Sequence, residues 1–361
     1  MSLRVAIYTI CLNERQFVER WVNAHKEHAA YLVVADTGST DGTVEALREL
    51  GVQVHSIQVK PWRFDDARNA ALALIPSDAD VCISTDMDEL MAPGWYEALC
   101  KNWIPGTTTR LRYTYVWSFD ANDQAQHSFM GDKCHARTHY RWRRPVHETV
   151  FHTGGAEESI VTAPDVVMWH KQDHSKSRGQ YLPLLEQSHK ENPECSQTLF
   201  WLAREYGYYN KGEEAVAHFR KYLEMPHATW HEERAEAQRW LSKLLPHDKL
   251  YWLRQATATA PMKREPWMDL AEHFYNEADW LNCLCNAANA LRITHKSGTY
   301  LDSAEAWSSK IPDLAGIAAY NMGLMDDAVR YFEQAVMINP VDERIQNNLR
   351  SARNALEAKK S

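Results

Sequence analysis

The first part of the chain alternates between short apolar runs and segments whose apolar residues have helical spacing. Each apolar run ends in polar or turn-forming residues, and a helical segment follows it. This alternation is typical of βαβ units, so we predict an α/β domain with a mainly parallel sheet. The predicted strands cover residues 5–12, 31–39, 52–59 and 80–85, and the predicted helices cover residues 14–28, 41–50 and 65–75.

The pattern changes after Pro93. Three segments, at residues 107–119, 132–142 and 145–153, alternate apolar with polar side chains and contain few helix formers. A period of two residues is the pattern of a half-buried strand. We therefore predict antiparallel strands that join the same sheet and carry aromatic and basic side chains.

From about Lys176 onward the periodicity is helical throughout, and a set of buried-type residues recurs every 34 residues. The recurring sets are Ala215, Phe219, Tyr222; Lys249, Leu253, Ala256; and Cys283, Ala287, Ala290; a last unit holds Gly316, Gly323, Ala328, Phe332, Ala335 and Pro340. This period is typical of tetratricopeptide (TPR) repeats, whose stacked helix pairs offer a concave surface to a protein, a peptide or a second copy of the chain. We predict an α/β domain over residues 1–175 and an all-α TPR-like domain over residues 176–361.

The composition narrows the class of protein. Of the 361 residues, 45% are apolar and 24% are charged, and the net charge of −8 argues against binding that depends on clustered Lys and Arg. The seven cysteines are scattered, odd in number and form no C-x-x-C pair, as expected for reduced thiols. No apolar run reaches about 18 residues, and the first residues become charged too soon for a signal peptide. We expect a cytoplasmic protein without a membrane partner.

Polar side chains follow three of the predicted strands. They are Asn13 and Glu14 after the first strand, Asp36 at the end of the second, and Asp86, Asp88 and Glu89 after the fourth. Because the carboxyl ends of parallel strands meet at one edge, where such sheets bind ligands, we expect these side chains to lie close together. Three carboxylates within four residues are unfavourable unless water or a counter-ion neutralises them, and Mg²⁺ and Mn²⁺ prefer such oxygen ligands. The sequence thus predicts either a divalent-cation site or a solvated acidic turn that caps a helix.

Four motifs in this order resemble those of the family 2 glycosyltransferases with the GT-A fold, over about residues 3–175. They are TICLNE (9–14), ADTGSTDGT (35–43), PWRFDDARNAAL (61–72) and STDMDE (84–89). A helical-repeat domain behind such a domain resembles the bacterial and phage peptide S-glycosyltransferase group. The resemblance implies a nucleotide-sugar donor, with UDP as the nucleotide, a divalent cation (Mn²⁺ or Mg²⁺), and inversion at the anomeric carbon.

The resemblance also implies roles for individual residues. Asp86 and Asp88 would hold a cation that stabilises the departing diphosphate. Asp36 would hydrogen-bond the base of the nucleotide, while Thr9, Asn13 and Glu14 would line the same cleft. Arg68 would pair with the diphosphate or with the acidic cluster, since a guanidinium matches either, unless it forms an ordinary ion pair with Asp65 or Asp66.

Inverting transfer needs a general base beside the acceptor, and the family's common E-D and Q-x-x-R-W signature is absent from this sequence. The segment PVHETV (145–150) is the best substitute. On an alternating strand His147 and Glu148 would point to opposite faces, so we expect only one of them to face the acceptor. Glu148 is the first candidate and His147 the second, with Asp132 and Asp173 as weaker ones. The alternative for Glu148 is a salt bridge with Arg141, Arg143 or Arg144.

The resemblance also implies a third metal ligand, frequently a His, from further along the chain. The candidate is His170, which ends another apolar stretch and has His174 behind it. Imidazole suits Mn²⁺ better than Mg²⁺. A zinc site built on the pairs His135 with His139 and His170 with His174 is a lesser alternative.

The acceptor is not determined by the sequence. The stretch 135–147 interleaves basic and aromatic residues, which would suit the sugar diphosphate or an anionic acceptor such as DNA with a modified base. The TPR-like repeats favour a peptide or protein acceptor, a glycan is a further alternative, and the repeats would equally serve a homodimer. A different class of function is a catalytically inactive TPR adaptor that keeps a transferase-like domain only for binding.

Overall fold

The structure is a computed structural model that describes residues 2–120, 123–173 and 179–360. The chain divides into two compact units, residues 1–192 and 193–361. The predicted boundary at 175/176 lies before helix α5 (Tyr181–Glu191), which belongs to the first unit. This helix contacts the unit through an ion pair between Arg63 and Glu191 at 2.6 Å and a ring contact between His147 and Tyr181.

The described part of the first unit contains ten strands and five α-helices. The strands are β1 (Val5–Cys11), β2 (Tyr31–Asp36), β3 (Gln53–Ser56), β4 (Val81–Ser84), β5 (Glu89–Met91), β6 (Arg110–Phe119), β7 (Ala125–Ala136), β8 (Tyr140–Arg143), β9 (Thr149–His152) and β10 (Ile160–His170). The helices are α1 (Val18–His25), α2 (Thr43–Glu49), α3 (Phe64–Ala73), α4 (Trp95–Asn102) and α5. The predicted alternation of strand and helix is therefore confirmed over β1 to β4.

One eight-stranded sheet, in the order β3-β2-β1-β4-β7-β6-β10-β5, forms the centre of this unit. The strands β1 to β4 pair in parallel, as do β6 and β10, whereas β7 and β5 pair antiparallel to their neighbours. The predicted mixed, mainly parallel sheet is thus confirmed. Its central strand β1 is buried on both faces, as Ala6, Ile7 and Tyr8 show, because helices and loops cover both sides of a parallel sheet.

Two of the three later strand predictions need correction. Segment 107–119 is confirmed as β6, but segment 132–142 is divided between β7 and β8, which are separated by residues 137–139. Segment 145–153 contains only the short strand β9, which pairs with β8 in a separate two-stranded sheet rather than in the main one. The chain leaves the main sheet at these breaks because His139, Arg144 and His147 adopt left-handed backbone conformations, with φ of 66°, 82° and 49°.

The topology gathers six strand ends at one edge. Strands β1, β2, β3, β4, β6 and β10 run in the same direction, so their carboxyl ends share that edge. The loops after β1, β2 and β4 carry the polar residues that the sequence singled out. Ligands bind beyond this edge in open α/β sheets, so the candidate site is expected there.

The second unit is helical in its described residues. Its helices are α6 (Ser196–Tyr208), α7 (Gly212–Glu224), α8 (His231–Leu244), α9 (Lys249–Thr259), α10 (Arg264–Asn276), α11 (Trp280–Arg292), α12 (Lys310–Asn321), α13 (Met325–Ile338) and α14 (Glu343–Lys360). Consecutive helices pack as pairs, and the recurring residues Phe219, Leu253 and Ala287 are buried between them. Residues 293–309 separate α11 from α12 and interrupt the period before the last unit. The predicted TPR-like architecture is confirmed.

Small residues do allow close helix approach in this unit. A Cβ added to Gly316 would lie 2.6 Å from the ring of Phe332, which is closer than side-chain atoms approach.

Among the residues that the structure describes, none of the helices combines the length and apolar character needed to cross a bilayer.

Candidate active site

Hydrogen bonds join the loops that follow β1 and β2 at the carboxyl edge of the sheet. Asn13, which has a left-handed φ of 56°, accepts from Thr40 N at 2.8 Å and donates its own N–H to Ser39 Oγ at 2.9 Å. The Asp41 carboxylate accepts from Arg15 N at 3.0 Å. These contacts tie the TICLNE and ADTGSTDGT motifs into one structure, so part of their pattern serves loop geometry.

Two further predicted donor-site residues bind mainly to the protein itself. The N–H of Glu14 donates to Thr43 Oγ1 at 2.8 Å, which connects the same two loops. The hydroxyl of Thr9 donates to Ile10 O at 3.0 Å, and this residue is almost fully buried in β1. A direct contact of Thr9, Asn13 or Glu14 with a nucleotide stays a prediction.

Asp36 ends β2, and its carboxylate organises the turn that follows. The Oδ2 atom accepts from Gly38 N at 3.1 Å, and both oxygens accept from Ser39 N at 3.1 and 3.2 Å. The thiol of Cys11 donates to Oδ1 at 3.5 Å, and burial next to this carboxylate raises the pKa of Cys11. Asp36 therefore fixes the turn, and its contact with the base of a nucleotide stays a prediction.

Lys133 supplies a counter-ion inside the acidic turn that follows β4. Glu89 is buried, and its carboxylate accepts from Tyr115 Oη at 2.6 Å and from Lys133 Nζ at 2.9 Å. The other oxygen of Glu89 accepts from Asp86 N at 2.8 Å. Burial alone would lower the pKa of Lys133, but Glu89 and Asp86 raise it above the ordinary value, so Lys133 stays charged. Sequence analysis missed Lys133, because its partner is distant in sequence and depends on strand register.

Arg68 on α3 joins the acidic turn to the segment before β9. Its Nη2 donates to Asp86 Oδ1 at 2.6 Å and its Nε donates to Glu148 Oε1 at 2.5 Å. Nη1 donates to Ser84 Oγ at 3.2 Å, and the guanidinium lies 5.1 Å from the centre of the Trp142 ring. Burial opposes the charge of Arg68, but the two carboxylates raise its pKa well above the ordinary value. Of the two pairings predicted for Arg68, the structure shows the one with the acidic cluster, and a contact with the diphosphate stays a prediction.

The structure gives Glu148 and His147 different surroundings from those expected on a strand. Both residues precede β9, and the ring of His147 packs against Tyr181 with 5.7 Å between ring centres. Glu148 forms the salt bridge foreseen as the alternative to catalysis, but with Arg68 rather than with Arg141, Arg143 or Arg144. The side chains of Arg68 and Glu148 are 5% and 12% exposed, so this salt bridge is largely buried.

Asp88 and His170 meet at the same edge from β4 and β10. His170 Nε2 lies 3.7 Å from Asp88 Oδ2, a separation longer than a hydrogen bond. His170 Nδ1 is buried and has no hydrogen-bond partner among the described residues. The backbone N–H of Lys171 donates to Asp88 O at 2.8 Å and fixes the turn against the end of β10. The topology thus brings together two of the three residues that the sequence predicted as metal ligands, Asp88 and His170.

A three-ligand metal cluster is not preassembled in the part of the chain that the structure describes. Asp86 is directed to Arg68, whereas Asp88 approaches His170. His135, one of the four histidines of the predicted zinc alternative, is not available to a metal ion. It is buried, and hydrogen bonds join its Nε2 to Tyr8 Oη at 3.0 Å and its Nδ1 to a backbone carbonyl. His174 lies outside the described residues.

The basic stretch 135–147 does not present one continuous surface. Arg137 donates to the carbonyl oxygen of Ile75 at 2.7 Å, near the end of α3. The guanidinium groups of Arg143 and Arg144 lie over the ring of Phe151. The weaker base candidate Asp132 forms an ion pair with Arg110 at 3.2 Å.

Comparison with known proteins identifies the class of this domain. Residues 6–156, which are less than half of the 361 residues, match the family described as Glycosyl transferase family 2. This segment is similar to the domains of that family, and by this match the protein is a glycosyltransferase by class. Together with the mixed sheet, the match confirms the predicted GT-A fold. A comparison with the curated proteins found no match.

Comparisons with solved structures found weak likenesses to each unit. A TPR protein from Thermus thermophilus is 18% identical, with a TM-score of 0.32, and the match covers 47% of this chain and 88% of that one. Glucosyl-3-phosphoglycerate synthase from Mycobacterium tuberculosis, in complex with Mn²⁺, uridine diphosphate and phosphoglyceric acid, is 20% identical with a TM-score of 0.27. That match covers 31% of this chain and 43% of the other.

Proposed function

We propose that the protein is a metal-dependent, inverting glycosyltransferase that uses a UDP-sugar donor. The observation that carries the proposal is the approach of Asp88 Oδ2 to His170 Nε2 at 3.7 Å, beside Asp86, at the ligand-binding edge of a family 2 domain. Carboxylate oxygens and an imidazole nitrogen form a donor set that suits Mn²⁺.

Asp86, Asp88 and His170 are the residues that would hold the cation, which as a Lewis acid would stabilise the charge of the leaving diphosphate. Glu89 and Lys133 hold the backbone of Asp86 in place. The buried salt bridges of the turn therefore keep its geometry fixed before donor binding.

Glu148 is our candidate for the general base and His147 the second candidate. The salt bridge to Arg68 orients the Glu148 carboxylate, which is the group that would accept a proton from an acceptor. Arg68 thereby links the base to the cation-binding Asp86. Asp36, with Thr9, Asn13 and Glu14 nearby, is proposed to bind the nucleoside.

For the acceptor we favour a peptide or protein, as in the peptide S-glycosyltransferase group, because helical repeats offer a surface suited to polypeptides. A glycan or a modified DNA base and a homodimer through the repeats are the alternatives. We also propose a cytoplasmic location, because all seven cysteines are unpaired thiols.

The test measures donor hydrolysis and UDP binding in the full-length protein with and without Mn²⁺. The Asp88→Asn variant is compared with Asp165→Asn, since Asp165 is a half-exposed residue on β10 that pairs with Lys101. We expect Asp88→Asn to lose most of the Mn²⁺-dependent affinity, by about tenfold or more, while Asp165→Asn behaves as the wild type. Equal UDP affinity in both variants would contradict the metal assignment.

The second candidate function is an inactive adaptor, and one observation favours it. Arg68 and Lys133 already neutralise much of the acidic turn, so the protein can tolerate these carboxylates without a cation. An adaptor of this kind would show no Mn²⁺-dependent UDP affinity in calorimetric titration, and no hydrolysis of UDP-sugars.

A further inference from the structure

Strand β6 brings a partly exposed tryptophan to the edge that carries the acidic turn. Trp117 lies near the carboxyl end of β6 and is 43% exposed. Because β6 runs parallel to β4 and β10, this end lies at the same edge as Asp86 and His170. Polar residues lie at or just after the ends of β1, β2 and β4, whereas the end of β6 contributes an aromatic side chain.

The backbone at Trp117 is irregular in a way that directs its side chain. The register of β6 with β7 passes from Val116 opposite Ser128 to Ser118 opposite His127. Trp117 is the extra residue between these pairs, which makes it the bulged residue of β6. Bulges re-aim a side chain and are over-represented beside active sites.

One side of the indole is fixed by protein groups of the candidate site. The ring centre of Trp117 lies 4.6 Å from that of His170 and 6.2 Å from that of Tyr115, whose hydroxyl binds Glu89. The carbonyl of Trp117 accepts from Gln172 Nε2 at 2.9 Å. Since the residue is 43% exposed, part of it is open to solvent next to a proposed cation ligand.

We infer that Trp117 binds the sugar ring of the donor by stacking. This inference rests on the proposed function, since it places the nucleotide diphosphate beside Asp88 and His170. The transferred sugar is attached directly to the distal phosphate, so it must lie within a few ångströms of that cation site. An indole has no charge to offer a phosphate, but its apolar face suits the C–H face of a pyranose.

The test compares calorimetric affinities of the full-length protein for UDP, UDP-glucose, UDP-galactose and UDP-N-acetylglucosamine in the presence of Mn²⁺. In Trp117→Ala we expect the affinity for UDP to stay within about twofold of the wild type. The UDP-sugar that binds best to the wild type should bind about three- to tenfold more weakly, as lost aromatic contacts predict. Trp117→Phe keeps an aromatic face and should retain most of that affinity.

Met130→Ala is the matched control, because Met130 is an exposed apolar residue of the same hairpin that pairs opposite Thr114. It should change neither affinity. If Trp117→Ala binds UDP-sugars as the wild type does, or loses UDP and UDP-sugars equally, the stacking role is wrong while the proposed function stands. If the wild type binds neither UDP nor any of the UDP-sugars, the proposed function fails and this inference fails with it.

Discussion

At the scale of single residues, Arg68 carries much of the charge balance of the candidate site. Its side chain is 5% exposed and lies between the carboxylates of Asp86 and Glu148. Two like charges near one another raise the cost of ionising either, and a guanidinium between them removes that cost with directional hydrogen bonds. The residue is therefore expected to matter for stability as well as for any reaction.

We predict that Arg68→Met lowers the free energy of unfolding by about 2–4 kcal/mol, because it leaves a buried ion pair without its cation. The value lies below that of a fully buried pair, since Asp86 is 37% exposed. The measurement is urea unfolding followed by tryptophan fluorescence. The double variant Arg68→Met with Glu148→Gln should recover part of the loss, because one stranded carboxylate is then neutral.

Arg4→Met is the control for this prediction. Arg4 pairs with Asp78 at 2.5 Å, but both side chains are about half exposed, so the loss should stay below about 1 kcal/mol. A similar loss in free energy of unfolding for Arg4→Met and Arg68→Met would show that the position of Arg68 between two carboxylates adds no stability beyond that of an exposed ion pair.

At the scale of elements, the parts predictable from sequence are those set by local pattern. Strands β1 to β4 were predictable because buried strands and amphipathic helices differ in period. The β8–β9 ribbon was not, because the chain turns at His139, Arg144 and His147, and no glycine or proline marks these left-handed positions except Pro145 beside Arg144. The ion pair between Lys133 and Glu89 depends on the register of distant strands, which no local pattern encodes.

The close packing of α12 on α13 gives a prediction at the same scale. A methyl group at position 316 would lie 2.6 Å from the ring of Phe332, which is buried and has little room to move. We expect Gly316→Ala to lower the free energy of unfolding by about 1–3 kcal/mol, as overpacking does, despite the better helix propensity of alanine. Urea unfolding measures the change.

Gly212→Ala tests whether this effect comes from the contact rather than from the substitution. Gly212 begins α7, and the nearest neighbour of an added Cβ there is Leu244 Cδ2 at 4.0 Å. This variant should be neutral or slightly more stable. In a Phe332→Leu background the further loss caused by Gly316→Ala should be smaller than in the wild type, and an equal further loss would show that Phe332 is not the cause.

At the scale of the whole molecule, each unit has its own buried core. Residues such as Ile7, Val34 and Leu111 belong to the core of the first unit, whereas Leu253, Ala287 and Phe332 belong to that of the second. Separate cores allow separate folding, because the burial that stabilises each unit lies within it. The change of periodicity in the sequence predicts where the α/β domain gives way to the helical domain. It does not predict that α5 belongs to the first unit, because the contacts of α5 depend on tertiary structure.

The boundary between the two units can be tested with two fragments of the chain. A fragment of residues 1–192 keeps α5, with its ion pair to Arg63 and the contact of Tyr181 with His147, whereas a fragment of residues 1–175 lacks them. The buried residues Leu182 and Leu185 of α5 would also be lost. Since burying one leucine side chain contributes about 1.5–3 kcal/mol, we expect the shorter fragment to unfold at clearly lower urea concentration. Equal urea midpoints for the two fragments would place the end of the glycosyltransferase unit before α5, as the sequence pattern predicted.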